Sequence, residues 1–376
     1  MTTARTYLDY NASAPLRPEA RQAMAASLDV CGNPSSVHAE GRAARGLIET
    51  AREQIAVLVN ARPSEIVFTS GATEANNWAL AGGWEAICVA GIEHDSVLSA
   101  ARESGAKLFD RPVSDTGVIE LTGAADQIAR AAQTVGRTLV AVMAANNETG
   151  VVQPVAEIAA LAGELGAHVH VDAVQAPGRV PVDFAALGVD TLALSAHKVG
   201  GPRGVGALIV RDGVSLPALI RGGGQERRRR SGTENVAGIA GFGAAAAAIT
   251  SDREAAQRMQ RLRDSLEDGV RRLSPAAVIV GSEVARIANT SCVALAGKPA
   301  ETLVIKLDLE GVAVSAGSAC SSGKVGESHV LVAMGLPQEI SRAAIRVSLG
   351  PETRDDDITA FLAAWEKVAG GAALAA

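Results

Sequence analysis

The chain has 376 residues, 48% hydrophobic but only 3% aromatic, so alanine, valine and leucine must fill its interior, and the length allows two or three domains. Against 41 acidic residues stand 35 basic ones, a formal charge of -6 that argues against a nucleic-acid surface or a polybasic membrane anchor. The first five residues lack the apolar core of a signal peptide, and the run 236–251 is too short and glycine-broken to span a bilayer, so a soluble, cytoplasmic protein is expected.

Along the chain, β-rich runs at 66–69, 86–90, 139–144, 168–172, 191–194 and 205–210 alternate with helical patterns such as 41–60 and 155–165. That alternation predicts a mostly parallel sheet with crossover helices. A long alanine-rich helical region at 235–273 carries the chain out of this unit, with the change of domain expected near residue 250. Beyond it, strands at 277–280, 290–294, 312–314 and 344–347 mix with helices at 300–309 and 355–368, the pattern of a smaller α+β domain. The tail 369–376 reads as fraying.

Lys198 lies beside His197 in a glycine-rich loop directly after the run 191–194. At its ordinary pKa of about 10.4 almost no lysine is neutral at pH 7, so a lysine in this setting points to Schiff-base chemistry assisted by neighbours. Asp172 ends the alternating segment His168-Val169-His170-Val171-Asp172, which places its carboxylate at the carboxyl end of a strand, the edge where open α/β sheets bind ligands. Ser70-Gly71-Ala72-Thr73 follows another strand and opens a helix, where backbone N–H groups and the Thr73 hydroxyl can meet a phosphate. Lysine, aspartate and phosphate loop together suit pyridoxal phosphate, whose ring nitrogen needs an acid partner.

Other motifs carry less. Gly241-Phe242-Gly243-Ala244-Ala245-Ala246 matches a dinucleotide fingerprint, but helix surrounds it, so close helix packing is expected. Gly200 to Gly206 lacks the spacing of a nucleotide phosphate loop, and the run Arg227 to Arg230 reads as a solvated loop. Cys31, Cys88, Cys292 and Cys320 show no metal-ligand or disulfide spacing, so no metal is expected and three of the four read as inert core thiols.

The motifs Tyr7-Leu8-Asp9, Gly32-Asn33-Pro34-Ser35-Ser36, Thr69 to Asn76, Asn146-Asn147-Glu148-Thr149-Gly150, Asp172-Ala173-Val174-Gln175, Ser195 to Gly206 and Arg230-Ser231-Gly232-Thr233 occur in an order that resembles the cysteine desulfurases. These are pyridoxal-phosphate enzymes of the aspartate-aminotransferase fold type, class-V aminotransferase-like. The likeness covers nearly the whole chain, departing at Ala12-Ser13-Ala14-Pro15 and after the loop cysteine at 323–327. It implies fold type I: a mostly parallel seven-stranded sheet in a large domain (16–250), an N-terminal segment (1–15) that joins a small domain, and that small domain (251–376) carrying the cysteine loop. It further implies that Lys198 carries the cofactor as an imine, Asp172 binds the pyridine nitrogen, Gln175 the ring hydroxyl, and His94 stacks on the ring. Thr73, Ser195 and His197 would bind the phosphate, Thr233 would reach a neighbouring subunit's cofactor in a homodimer, and Asn147 and Arg346 would hold the substrate carboxylate. Arg346, inside an apolar strand pattern, needs a buried partner in any case.

Cys320 lies in Ser318-Ala319-Cys320-Ser321-Ser322-Gly323, a small-residue loop with no apolar face, which suits an exposed nucleophile. The resemblance then implies conversion of L-cysteine to L-alanine: Lys198 removes the α-proton, Cys320 takes the sulfur as a persulfide, and His94 serves as a proton donor or acceptor. An iron–sulfur scaffold or a thiolation carrier would receive the sulfur; the stretch after the helical pattern 355–368 is not expected to supply the extension that housekeeping members use for scaffold docking. A selenocysteine lyase, an aminotransferase of the same fold, or a non-catalytic scaffold for a sulfur acceptor are the alternatives.

Overall fold

The computed structural model of the protein describes residues 5–134, 136–317 and 326–370. A short strand, β1 (Thr6–Tyr7), precedes the main sheet, which takes β2 (Ile66–Thr69), β3 (Ala86–Ala90), β4 (Lys107–Arg111), β5 (Thr138–Met143), β6 (His168–Asp172), β7 (Thr191–Ser195) and β8 (Gly206–Val210). Their spatial order is β2-β8-β7-β6-β5-β3-β4. The run from β4 to β7 is parallel, and β8 is antiparallel to both its neighbours. Central strands are buried along their whole length, and alternate residues feed two cores: Val140 and Val142 pack on one face, Leu139 and Ala141 on the other. This is the burial expected of a parallel sheet covered by helices on both faces.

The seventh strand, β4, is absent from the β-rich runs. Its sequence, Lys107-Leu108-Phe109-Asp110-Arg111, is charged and mostly exposed because it forms the sheet's edge, where charge discourages pairing with another chain. The helical region 235–273 is formed by two helices, Val236–Ser251 and Ala255–Leu273. Asp252 leaves helical geometry between them (ψ 77°), and its carboxylate accepts from both terminal nitrogens of Arg258, at 3.1 and 2.6 Å. In the first helix, a Cβ on Gly241 would stand 2.6 Å from Met24 Cγ and one on Gly243 2.5 Å from Ala51 Cα, so these glycines let helices approach.

A second sheet is antiparallel, with β9 (Val278–Val280), β10 (Thr290–Ala294), β12 (Ser315–Ala316) and β13 (Ala344–Ser348) in the order β12-β13-β10-β9. It has its own core, centred on Ile345, Val347, Leu303, Phe361 and Trp365. The remaining strand, β11 (Val312–Ala313), pairs with β1, and Asp9 bridges to Ser348, so the N-terminal segment lies along this second unit. No helix among the described residues is long and apolar enough to cross a membrane.

The arginine run 227–230 is not simply solvated. Glu226, Arg227 and Arg228 have φ of 45°, 57° and 66°, a left-handed turn made without glycine. Buried Glu226 holds it, accepting from Arg52 Nη1 and Nη2 and from the Phe68 N–H, each at 2.9 Å, while Arg230 pairs with Glu74 at 2.9 Å. Left-handed backbone costs a non-glycine residue roughly 1–2 kcal/mol. Arg228 is exposed. Replacing it, Arg228→Gly, is expected to raise stability by up to about 1 kcal/mol, read as a higher denaturant midpoint; an unchanged or lower midpoint would show that the turn is unstrained.

Candidate active site

The carboxyl ends of β2, β5, β6 and β7 converge on a cavity of about 520 Å³. Thr73, His94, Asn147, Asp172, Gln175, Ser195, His197, Lys198 and Arg346 all line it. Chain turns at a parallel sheet's carboxyl edge are free to carry function, which is why residues from seven elements meet there. Two expected residues do not join them. Thr233 is exposed in a separate cleft with Phe68, Ser70 and Arg230, and Cys320 lies outside the described residues.

Asp172 ends β6 nearly buried, and both its oxygens accept from N–H groups: Oδ2 from Asn76 Nδ2 at 2.8 Å and Oδ1 from the Val174 N–H at 3.1 Å. Lys198 follows β7 in a short turn, Ala196–Lys198, and its Nζ donates to the carbonyls of Asn11 (2.6 Å) and Ala12 (3.1 Å). The helix Ala72–Leu80 starts at the cavity with no side chain capping its first N–H groups. Those N–H groups and the positive end of the helix dipole suit an anion. A Cβ on Gly206 would fall 2.7 Å from Gly71 Cα, so glycine on β8 lets this helix start approach the sheet.

His94 caps the helix Asp95–Glu103: its Nδ1 accepts from the Ser96 N–H at 3.1 Å and lies 2.8 Å from Ser96 Oγ. His197 sits 3.4 Å from Ser13 Oγ, and burial, with Lys198 and Arg203 nearby, pushes its pKa down to about 4. A neutral imidazole there offers a hydrogen bond rather than a charge. Gln175 Nε2 donates to the Asn11 carbonyl at 3.1 Å, while its Oε1 accepts from buried Arg179, whose pKa burial lowers to about 9.

Arg346 has the buried partner that its place in an apolar strand requires. Its Nη2 pairs with Asp9 at 2.9 Å and its Nη1 donates to the Asn147 carbonyl at 3.1 Å, yet its buried Nε has no partner among the described residues. An orphaned guanidinium N–H beside a cavity is suited to an anionic ligand. The cysteines need one correction: Cys88 and Cys292 are buried, with burial raising their pKa to about 11 and about 12, but Cys31 is exposed. Among the described residues no three His, Cys, Asp or Glu side chains converge as a metal-binding set.

Sequence reading missed Asn11, Asn76, Ser96 and His170. Two of these left a signal: His170 shares Asp172's face of β6 by the strand period, and Asn76 lies one helical turn after Thr73. Asn11 left none, because its partners Thr290 and Asn289 are 279 and 278 residues away.

A strand-end carboxylate, a loop lysine, an uncapped helix start and an orphaned guanidinium around one cavity fit the acid, imine-forming and anion-binding needs of pyridoxal phosphate and an amino acid. The aminotransferase class-V family model matches residues 6–361. The chain is 40% identical over 375 residues to a protein named cysteine desulfurase IscS from Dictyoglomus turgidum, covering 96% of this chain and 94% of that protein. It is 42% identical over 370 residues to a cysteine desulfurase of Cereibacter sphaeroides, covering 95% and 94%. A NifS-like protein from Rickettsia africae superposes with a TM-score of 0.91 at 35% identity, covering 97% of this chain and 99% of that one. The chain therefore belongs to the aminotransferase class-V family of pyridoxal-phosphate enzymes, and within it to the cysteine desulfurases. Its main sheet is the seven-stranded, mostly parallel sheet of fold type I.

Because His197 is harder to protonate folded than unfolded, the stability it contributes is present above its unfolded pKa of about 6.5 and is lost as pH falls through about 4. The variant His197→Gln is expected to lose less stability than the parent between pH 6.5 and 4, measured on the cofactor-free protein by thermal melting at a series of pH values; parallel curves would sink this assignment.

Proposed function

We propose that the protein converts L-cysteine to L-alanine and passes the sulfur, through a persulfide on Cys320, to an acceptor protein of iron–sulfur assembly or thiolation. The observation that carries this reading is the meeting of Lys198, Asp172 and the uncapped helix start in one cavity beside Arg346. When bound, pyridoxal phosphate supplies an electron sink for bond breaking at the amino acid. In this reading Asp172 holds its ring nitrogen, Gln175 its ring hydroxyl, and Thr73, Ser195 and His197 its phosphate.

The protein's own groups then divide the work. Asn147 and Arg346 hold the substrate carboxylate, with the free Arg346 Nε as the available donor. Lys198, released from the Asn11 and Ala12 carbonyls, takes the α-proton, a step worth about 10²–10⁴-fold. The Cys320 thiolate attacks the substrate sulfur, the carbon–sulfur bond breaks, and the three-carbon remainder is protonated and leaves as alanine. His94, whose Nδ1 accepts from the Ser96 N–H, turns a protonated Nε2 to the reaction.

Gly317 and Ser328, described residues before and after the segment that holds Cys320, both meet Glu148 Oε2: a Cβ on Gly317 would fall 2.5 Å from it, and Ser328 Oγ donates to it at 2.5 Å. The exposed position of Thr233, outside its own chain's cavity, supports a homodimer in which it serves the partner's site. We propose that the change of domain falls near residue 250, with residues 1–15 joining the smaller unit, and that the protein is cytoplasmic.

Incubation with L-cysteine and a thiol reductant is expected to yield alanine and sulfide in equal amounts over many turnovers. Lys198→Ala should lower alanine formation by about 10²-fold or more, and Cys320→Ala should abolish sulfide release while cofactor content is kept. No alanine from cofactor-loaded protein would overturn the activity. Transamination surviving in Cys320→Ala would favour an aminotransferase, and strong preference for selenocysteine a lyase for that substrate. Light scattering after size exclusion should give the mass of a dimer; a monomer would remove Thr233 from the site.

A further inference from the structure

Asn76 is fully buried at the centre of a branched hydrogen-bond chain. Its Nδ2 donates to Asp172 Oδ2 at 2.8 Å and to Ser96 Oγ at 2.9 Å, and its Oδ1 lies 2.9 Å from His170 Nε2. On the far side, His170 Nδ1 lies 2.8 Å from Thr191 Oγ1, its register partner on β7. His170 and Thr191 are 0% and 2% exposed, so water does not substitute for either contact.

The direction of every bond follows from one fact. An ionised carboxylate only accepts, so the amide must turn its NH₂ to Asp172. Its oxygen then faces His170, whose Nε2 must carry the proton. Burial lowers the His170 pKa to about 3, so the ring is neutral, its Nδ1 is an acceptor, and the Thr191 hydroxyl donates to it. Along the other branch, Ser96 Oγ accepts from Asn76 and its own proton points to His94 Nδ1, 2.8 Å away, which already accepts from the Ser96 backbone N–H and so leaves the His94 proton on Nε2. Without a donor at His170, the flipped amide would lose nothing on that side, and its oxygen would confront the Asp172 carboxylate.

We propose that His170 is a positioning residue: through Asn76 it keeps a donor aimed at Asp172, although it does not reach the cavity itself. This rests on the reading of Asp172 as the cofactor's partner. A leucine at 170 has no donor, whereas a glutamine can still present an N–H near the Nε2 position.

The test compares the holoenzyme with His170→Leu, His170→Gln and Thr191→Val, reading pyridoxal-phosphate affinity, the visible band of the bound cofactor against pH, kcat and KM for L-cysteine, and thermal melting. His170→Leu should bind the cofactor at least tenfold more weakly, shift the pH midpoint of the band, and lower kcat at least tenfold with KM changed less than threefold. His170→Gln should recover most of this, and Thr191→Val should move the band in the same direction by less. If His170→Leu does not fold, the Gln and Val variants still decide: a band and kcat identical to the parent in both, with no loss on Thr191→Val, overturn the proposal. Equal losses in Leu and Gln that follow the melting temperature also overturn it, since they describe packing alone. A parent protein that binds no pyridoxal phosphate overturns the cofactor reading as well, whereas a parent that binds it and variants that leave its spectrum unmoved overturn the role of His170 only.

Discussion

Around the peptide of Asn11 the two sheets share one hydrogen-bond network. Its carbonyl accepts from Lys198 Nζ and Gln175 Nε2, at 2.6 and 3.1 Å, at the edge of the main sheet. Its side chain donates to Thr290 Oγ1 at 2.8 Å and to the Asn147 carbonyl at 3.3 Å, and accepts from Asn289, while its N–H donates to Ser348 Oγ. Every polar atom of a wholly buried residue is thus used, and the loss of any one partner leaves a desolvated group, at a cost of about 1–3 kcal/mol. The geometry of the lysine is consequently tied to strands of the other sheet.

Buried charge shapes the surroundings of the cavity in the same way. Arg346 and Asp9, Arg52 and Glu226, and Arg286 and Glu267 are short pairs with little exposure. Glu93 and Arg111 are looser, 3.7 Å apart, and their side chains are wholly buried. Burial drives the Glu93 pKa up to about 8, against the pull of Arg111. Such pairs add little net stability, since desolvation offsets attraction, but breaking one strands a charge. Of these residues Arg346 lines the cavity, so its pair with Asp9 fixes geometry there more than it strengthens the fold.

Much of this architecture was legible from local pattern. Central strands such as β5 and β6 are apolar along both faces because helices cover both, and that composition reads directly from the chain. Edge strand β4 was not legible, because an edge is selected for charge, and charge hides the β signal. The split at Asp252 escaped because alanine-rich sequence favours helix on both sides, and a single side-chain clamp from Arg258 accompanies the break. That Lys198, Asp172, His197 and Thr73 line one cavity was legible because each stands where a strand meets a loop or a helix, a position that local sequence reveals.

By itself the sequence determined the chemical types available and their order along strand ends: a lysine in the loop after a strand, a strand-end acid, a glycine-led helix start, and a family resemblance spanning the chain. Only the tertiary structure decided how those groups are held: that Arg346 spends one nitrogen on Asp9, 337 residues away, and keeps another free, and that Asp172 faces an amide oriented by His170. The physical reason is range. Periodicity and capping report which way a side chain faces within its own element, whereas a buried hydrogen bond depends on two elements brought together by packing, and nothing in the local pattern of either one names its partner.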